Sequence, residues 1–276
     1  VTWVGALVIG SGALAASASV YGYVRLGILI DGAFPLLTSF LVGGTGIAQR
    51  MIAEYRLKLQ IRGQFGTYVS PDLVKQLEND PSLLRLGGET KTMTFLFSDI
   101  VGFTPISEKL QEDPQALVEL INRLLTQLTD CVLRHGGTVD KFMGDCIMAF
   151  WGAPLDCEDH AERAMLTARD MLLILDDLNA QLDAEELPHL NIGVGINTGQ
   201  CVVGNMGSQS RFDYSVLGDS VNVASRLEGQ TRNYEAWILI GESTVQYRPD
   251  WTEYVDAIQV KGKSEPLKVY TLKHGI

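Results

Sequence analysis

The sequence predicts an α+β domain, with helices packed on a mixed sheet, behind an apolar N-terminal segment that reads as two transmembrane helices. Three observations lead there. From about residue 91 onward, helix-like and strand-like stretches alternate without the regular period of a doubly wound sheet. The apolar residues are unevenly spread: between Val1 and Ala48 the only ionisable side chains are Arg25 and Asp31. And 276 residues, 46% of them hydrophobic, are material for one full domain plus a smaller part.

Taken in order, Val1 to about Val20 is long enough to cross a bilayer core as a helix. Gly27 to about Ala48 can cross again, with Tyr21, Gly22 and Tyr23 around the turn. Asp31 and Pro35 disturb the second span, and an acid there is expected at the interface. A secretory signal peptide is the competing explanation, but no basic leader precedes the apolar run, and the first residue is not Met, which points to a longer protein. Arg50, Arg56, Lys58 and Arg62 follow the second span, whereas the connection carries only Arg25, so the C-terminal part is expected on the cytoplasmic side of the cell membrane. The expected division is 1–48 for the spans, 49–90 for a juxtamembrane helix and connector, and 91–276 for the soluble domain. Ile52, Tyr55 and Leu59 form a stripe on the juxtamembrane helix that either dimerises or packs on its own domain. Ser70 and Pro71 read as the start of a helix in the connector.

The soluble part reads as a strand (92–98), a short helix (105–110), an amphipathic helix (114–135) and two strands joined at Asp145. A helix (159–182) follows, then strands at 190–197, 201–205 and 213–216, a helix (219–228), and strands at 236–240, 253–260 and 267–272. Chemistry concentrates in three segments: FLFSDIVGFT (95–104), KFMGD (141–145) and GDSVNVASR (218–226). The first is a buried strand ending in Asp99 just before a helix start, where a carboxylate and backbone amides can hold a metal and a phosphate together. The second puts Asp145 after Gly144 in a tight hairpin. Two acids on two strand ends can share a pair of divalent ions, the arrangement that drives phosphoryl and nucleotidyl transfer.

These segments, in this order, resemble the class III nucleotidyl cyclase catalytic domain, the family of adenylyl and guanylyl cyclases, over about Phe65 to Leu272. The resemblance implies a ferredoxin-like βαββαβ core with extra strands, and a reaction converting ATP to 3′,5′-cyclic AMP and pyrophosphate. It makes Asp99, Asp145 and the carbonyl of Ile100 ligands of two Mg²⁺ or Mn²⁺ ions, and gives the triphosphate the backbone amides of Gly102, Phe103 and Thr104. Asn222 and Arg226, four apart on one helix face, would orient the ribose and stabilise the transition state. Lys261 matches the lysine that binds the terminal phosphates. Arg211 either adds charge there or is a solvated surface arginine. Lys141 matches the position that is lysine in adenylyl and typically glutamate in guanylyl cyclases, and Ser215 occupies its partner position. A serine hydroxyl discriminates less firmly, being able to accept from an amino group or donate to a carbonyl.

The family geometry also implies a head-to-tail homodimer with composite sites, and the connector resembles that of bacterial cyclases carrying an upstream sensor domain. Two other readings compete: a guanylyl cyclase with the same mechanism, and a non-catalytic cyclase-like module for nucleotide binding or dimerisation. Net charge of −11 argues against nucleic acid as a partner. The four cysteines show no metal-binding spacing, and neither zinc nor a disulfide is indicated. His135, before Gly136 and Gly137, reads as structural, and Trp151 as core.

Overall fold

The computed structural model describes residues 2–28, 33–65, 88–207, 212–234, 236–259 and 266–276. The chain divides into two compact units, Val1–Gln64 and Phe65–Ile276. Helices α1 (Thr2–Leu26) and α2 (Ala33–Phe65) make the first. Here the structure corrects the sequence reading: among the described residues no helix is long and apolar enough to cross a membrane. Small and hydroxyl residues such as Gly10, Ser11, Ser17 and Ser19 interrupt the apolar run of α1. In α2 the apolar stretch passes without a break into Arg50, Glu54, Arg56 and Lys58. Ile52, Tyr55 and Leu59 are exposed on α2, whereas Asp31, Ser70 and Pro71 lie outside the described residues.

The second unit is built on one eight-stranded sheet. Its elements are β1 (Glu89–Ile100), α3 (Phe103–Lys109), α4 (Pro114–Arg134), β2 (Thr138–Met143), β3 (Cys146–Trp151), α5 (His160–Ala184), β4 (Ile192–Gly207), β5 (Phe212–Leu217), α6 (Asp219–Gln230), β6 (Ile238–Gly241), α7 (Glu242–Val245), β7 (Thr252–Ile258) and β8 (Leu267–Leu272). The strands run in the order β2-β3-β1-β4-β6-β8-β7, with β5 paired to β4. The first four of these pair antiparallel with one another, as the βαββαβ reading requires, and β4 is parallel to β6.

Alternation along β1 explains its central place. Leu96 and Ile100 enter a cluster with Leu120, Leu124 and Leu128 of α4 and Met171 and Leu178 of α5. Met93, Phe95 and Phe97 enter a second cluster with Val216 of β5 and Val221 and Ala224 of α6. Successive side chains of a strand point to opposite faces, so a run apolar at nearly every position is a strand covered on both sides. Helix α4 begins where the Asp113 side chain accepts from the amide of Ala116 at 3.1 Å, with Pro114 inside the first turn. It ends at His135 before Gly136, whose φ is +70°. The His135 ring bonds Asp170 at 2.8 Å, and its carbonyl accepts from the indole of the fully buried Trp151 at 3.1 Å, so both residues are structural. The buried His160 ring meets the Thr94 hydroxyl at 2.7 Å.

One expectation fails in an informative way. The sequence breaks at Thr198-Gly199-Gln200, but the two expected strands are one, β4, paired with the whole length of β1 from Glu89↔Val203 to Ile100↔Ile192. The glycines of β4 serve close packing rather than turning. A Cβ on Gly195 would stand 2.2 Å from both the Ala224 carbonyl oxygen and the Glu228 amide nitrogen, and one on Gly199 2.2 Å from the Ser220 hydroxyl. Backbone atoms of α6 cannot yield to a methyl group. Gly195→Ala should therefore destabilise the protein by about 3 kcal/mol or more in urea denaturation. Gly229→Ala, in the same helix with nothing within 4 Å, should be neutral or stabilise by up to about 1 kcal/mol.

Candidate active site

Asp99 is the penultimate residue of β1 and half-buried, and Ile100 after it is buried in the core. The chain then turns through Gly102, whose φ of +75° is the left-handed conformation that favours glycine, and enters α3. Phe103 packs against the core, leaving Gly102 and Thr104 exposed. On the neighbouring hairpin, Met143 pairs with Cys146, so Gly144 and Asp145 form a two-residue turn. Positive φ falls at Gly144 alone, the II′ pattern. The two strand ends bring Asp99 and Asp145 close enough for a side-chain hydrogen bond.

That proximity shows in the electrostatics. Burial first, and then the Asp145 carboxyl, push Asp99 above the usual carboxylate range, while the Arg232 guanidinium and a backbone hydrogen bond from Ile100 pull it down. Arg232, in the 3-10 turn Thr231–Asn233 after α6, reaches Asp99 at 3.3 Å. Glu228 is the third acid of this region. It is 8% exposed, its Oε1 is buried without a hydrogen-bond partner, and it is pushed up to about 7 by burial and by Asp99. The thiol of Cys146 is pushed up to about 12 by burial and by Asp99, Glu228 and Asp145. It stays protonated, so the donors at the pair are oxygens, which suit a hard cation such as Mg²⁺ or Mn²⁺. Among the described residues no three His, Cys, Asp or Glu side chains are grouped to hold a metal alone. Two carboxylates completed by substrate phosphates are the usual Mg²⁺ arrangement.

Asn222 and Arg226 stand on α6, anchored through the buried Val221, Val223, Ala224 and Leu227. Asn222 is exposed, and the Nη1 of Arg226 is buried without a hydrogen-bond partner. Lys141 is exposed on β2, next to a register shift that leaves Asp140 between the paired residues Val139 and Lys141. Ser215 is buried on β5. Asp99 and Asp145 thus meet, as Lys141 and Ser215 do through Asp140, which accepts from the Ser215 hydroxyl at 2.8 Å and lies 3.8 Å from the Lys141 ammonium. Among the described residues no hydrogen bond or ion pair joins Asn222 or Arg226 to the carboxylate pair. Lys261 and Arg211 lie outside the described residues. Asp140, Glu228 and Arg232 are what sequence reasoning missed. Asp140 and Glu228 lie within two residues of residues singled out in the motifs, and that adjacency was the only signal. All four cysteines are free thiols.

Residues 88–274 match the adenylate and guanylate cyclase catalytic domain family, and the chain belongs to that family. It is 34% identical over 219 residues to an adenylate cyclase of Anabaena cylindrica, covering 77% of this chain and 42% of that protein. To adenylate cyclase 1 of Rhizobium meliloti it is 33% identical over 212 residues, covering 75% and 31%. The chain thus spans less than half the length of these relatives. Among solved structures, the adenylyl cyclase CyaB from P. aeruginosa superposes with a TM-score of 0.63 at 39% identity, over 68% of this chain and 96% of that one. The guanylyl cyclase Cya2 gives 0.61 at 34%, over 69% and 97%.

Glu228 makes the metal-free protein pH-sensitive. Its folded-state value lies above the ordinary 4.5, so the folded protein bears no penalty while the side chain is protonated. It loses stability as pH rises from about 4.5 through about 7. Glu228→Gln, with no charge to desolvate, should match the unmutated protein near pH 4 and exceed it by up to about 3 kcal/mol at pH 8. Urea denaturation across that range, in the presence of a chelator, measures the difference.

Proposed function

We propose that this chain is an adenylyl cyclase, converting ATP to 3′,5′-cyclic AMP and pyrophosphate at composite sites of a head-to-tail homodimer. The observation that carries the reading is the meeting of Asp99 and Asp145 on adjacent strand ends, beside the glycine turn into α3. Two divalent cations at that pair, Mg²⁺ or Mn²⁺, would supply neutralisation of phosphate charge and acidify the ribose 3′-hydroxyl. The amides from Gly102 to Thr104 would receive phosphate oxygens, since Gly102 has no side chain to obstruct them. Arg226 would place its unpartnered guanidinium nitrogen against the charge that grows on the α-phosphate, with Asn222 orienting the ribose. Lys261 would bind the terminal phosphates, and Arg211 would add charge beside them. Lys141, a donor only, suits the N1 acceptor of adenine and opposes the N1–H of guanine, which favours ATP over the guanylyl reading. The presence of Asp99, Asp145, Asn222 and Arg226 together weighs against a non-catalytic module.

Turnover of ATP and GTP by the full chain, with Mg²⁺ or Mn²⁺ and chromatographic identification of products, tests this directly. Cyclic AMP formed at a specific rate that rises with protein concentration is expected; no cyclic product from either nucleotide would overturn it. Asp99→Ala and Arg226→Ala should each lower kcat by about 100-fold or more. Co-expressed, they should recover roughly a quarter of the unmutated activity, because half of randomly formed dimers are mixed and each of those keeps one intact site. Absence of recovery in verified heterodimers would exclude shared sites.

We further propose that the protein associates with the cell membrane from its cytoplasmic side, with neither described helix crossing the bilayer, and that it works downstream of a sensor domain. This rests on the apolar side chains exposed on α1 and α2, among them Leu14, Val20, Val24, Phe34 and Phe40, and on the basic residues from Arg50 to Arg62. The full chain should sediment with membranes and stay there at about 1 M salt, which screens charges more than ~3 Å apart. Recovery in the supernatant would remove the membrane assignment.

A further inference from the structure

The two side chains assigned to the purine edge, Lys141 and Ser215, share a contact. Oδ2 of Asp140 accepts a hydrogen bond from the Ser215 hydroxyl at 2.8 Å and lies 3.8 Å from the Lys141 ammonium. The Asp140 side chain is fully buried, while that of Lys141 is 45% exposed. Strict strand alternation would send Asp140 and Lys141 to opposite faces of the sheet. They converge because β2 is irregular there: Val139 pairs with Ala149 and Lys141 with Met148, which leaves Asp140 as an extra residue between them. A bulge of this kind re-aims a side chain.

We propose that Asp140 sets the purine preference of the site by fixing Ser215 as a hydrogen-bond acceptor. A carboxylate oxygen can only accept, so the single hydroxyl hydrogen of Ser215 is directed at Asp140. Ser215 is itself 7% exposed, and water does not compete for that hydrogen. The hydroxyl oxygen then offers only lone pairs to a nucleotide. A serine in isolation would accept from a 6-amino group or donate to a 6-oxo group; this one does the first and not the second. Lys141, held beside the same carboxylate, offers only donors. The pair therefore presents acceptor and donor, the complement of the 6-amino donor and N1 acceptor of adenine, and it mismatches a 6-oxo purine with N1–H at both positions. Asp140 is a positioning residue that touches neither base. This inference rests on the adenylyl cyclase reading, and it names the device by which that site rejects GTP.

The test is kcat/KM of the full chain for ATP and for GTP, before and after Asp140→Ala, which removes the acceptor and frees the hydroxyl to rotate. The ATP:GTP ratio should fall by about tenfold or more, the effect of turning one mismatched buried hydrogen bond into a matched one. A residue that merely supports the fold would lower both values together, and an unchanged ratio overturns the proposal. If the unmutated protein turns over neither nucleotide, the enzymatic reading has failed, and the ratio of ATP to GTP dissociation constants from calorimetry judges Asp140 by the same criterion. Should Asp140→Ala not fold, Ser215→Ala decides. An acceptor-only hydroxyl predicts a loss for ATP and none for GTP, whereas an equal loss, or a larger one for GTP, contradicts it.

Discussion

Repulsion between two carboxylates, Asp99 and Asp145, is the constraint around which the C-terminal unit is arranged. Left to themselves in water, two acids separate. Here Asp99 closes a strand whose preceding residues belong to the core, and Asp145 stands in the turn just before the buried strand β3, so neither can retreat without disturbing the sheet. Phe97 and Met148 on the paired strands β1 and β3 are 5% exposed, and Ile100 is 1% exposed. The hydrophobic energy of that sheet, about 25 cal/mol for each Å² of apolar surface removed from water, sustains an electrostatic tension that local chemistry alone would relieve. Burial first and then Asp145 raise Asp99 above the usual carboxylate range, and the Arg232 guanidinium at 3.3 Å offsets part of that rise.

Much of this was legible because it depends on short-range pattern. The apolar run before Asp99, the Gly144-Asp145 turn, the helix start at Pro114 and the His135-Gly136 stop each declare themselves within a few residues, and each stands where it was expected. Strand β4 did not, since Thr198-Gly199-Gln200 has the composition of a turn. Only the partner strand β1, and the close approach of α6 to Gly195 and Gly199, explain why the chain goes straight through. That information lies in residues far away in sequence. The N-terminal expectation went astray for the opposite reason. Scarcity of charge between Val1 and Ala48 marks an apolar region, but the small and hydroxyl residues within α1 weaken the run, a matter of degree that a count of ions ignores.

At the candidate site the division is similar. Motif residues could be named because their types and spacing carry the chemistry. What surrounds them could not, because Glu228, Arg232 and Asp140 matter only through where folding puts them. Glu228 reaches the carboxylate pair by its place on α6 packed over Gly195, and Arg232 by the turn that follows. Asp140 acts through an irregularity in β2 that no alternation pattern foretells.

The sixteen residues of β4 have a consequence for how such a protein can change. Its first half lies against α6 through Gly193, Gly195 and Gly199, and its second half is zipped to β5 from Val202↔Leu217 to Gly207↔Phe212. Ser215 on β5 and Asn222 on α6 are therefore mounted on a single stiff member, joined by the brief passage through Gly218. Neither can be displaced without carrying the other along. On such a frame, exchanging side-chain chemistry at these two positions changes what they present without moving the backbone that carries them.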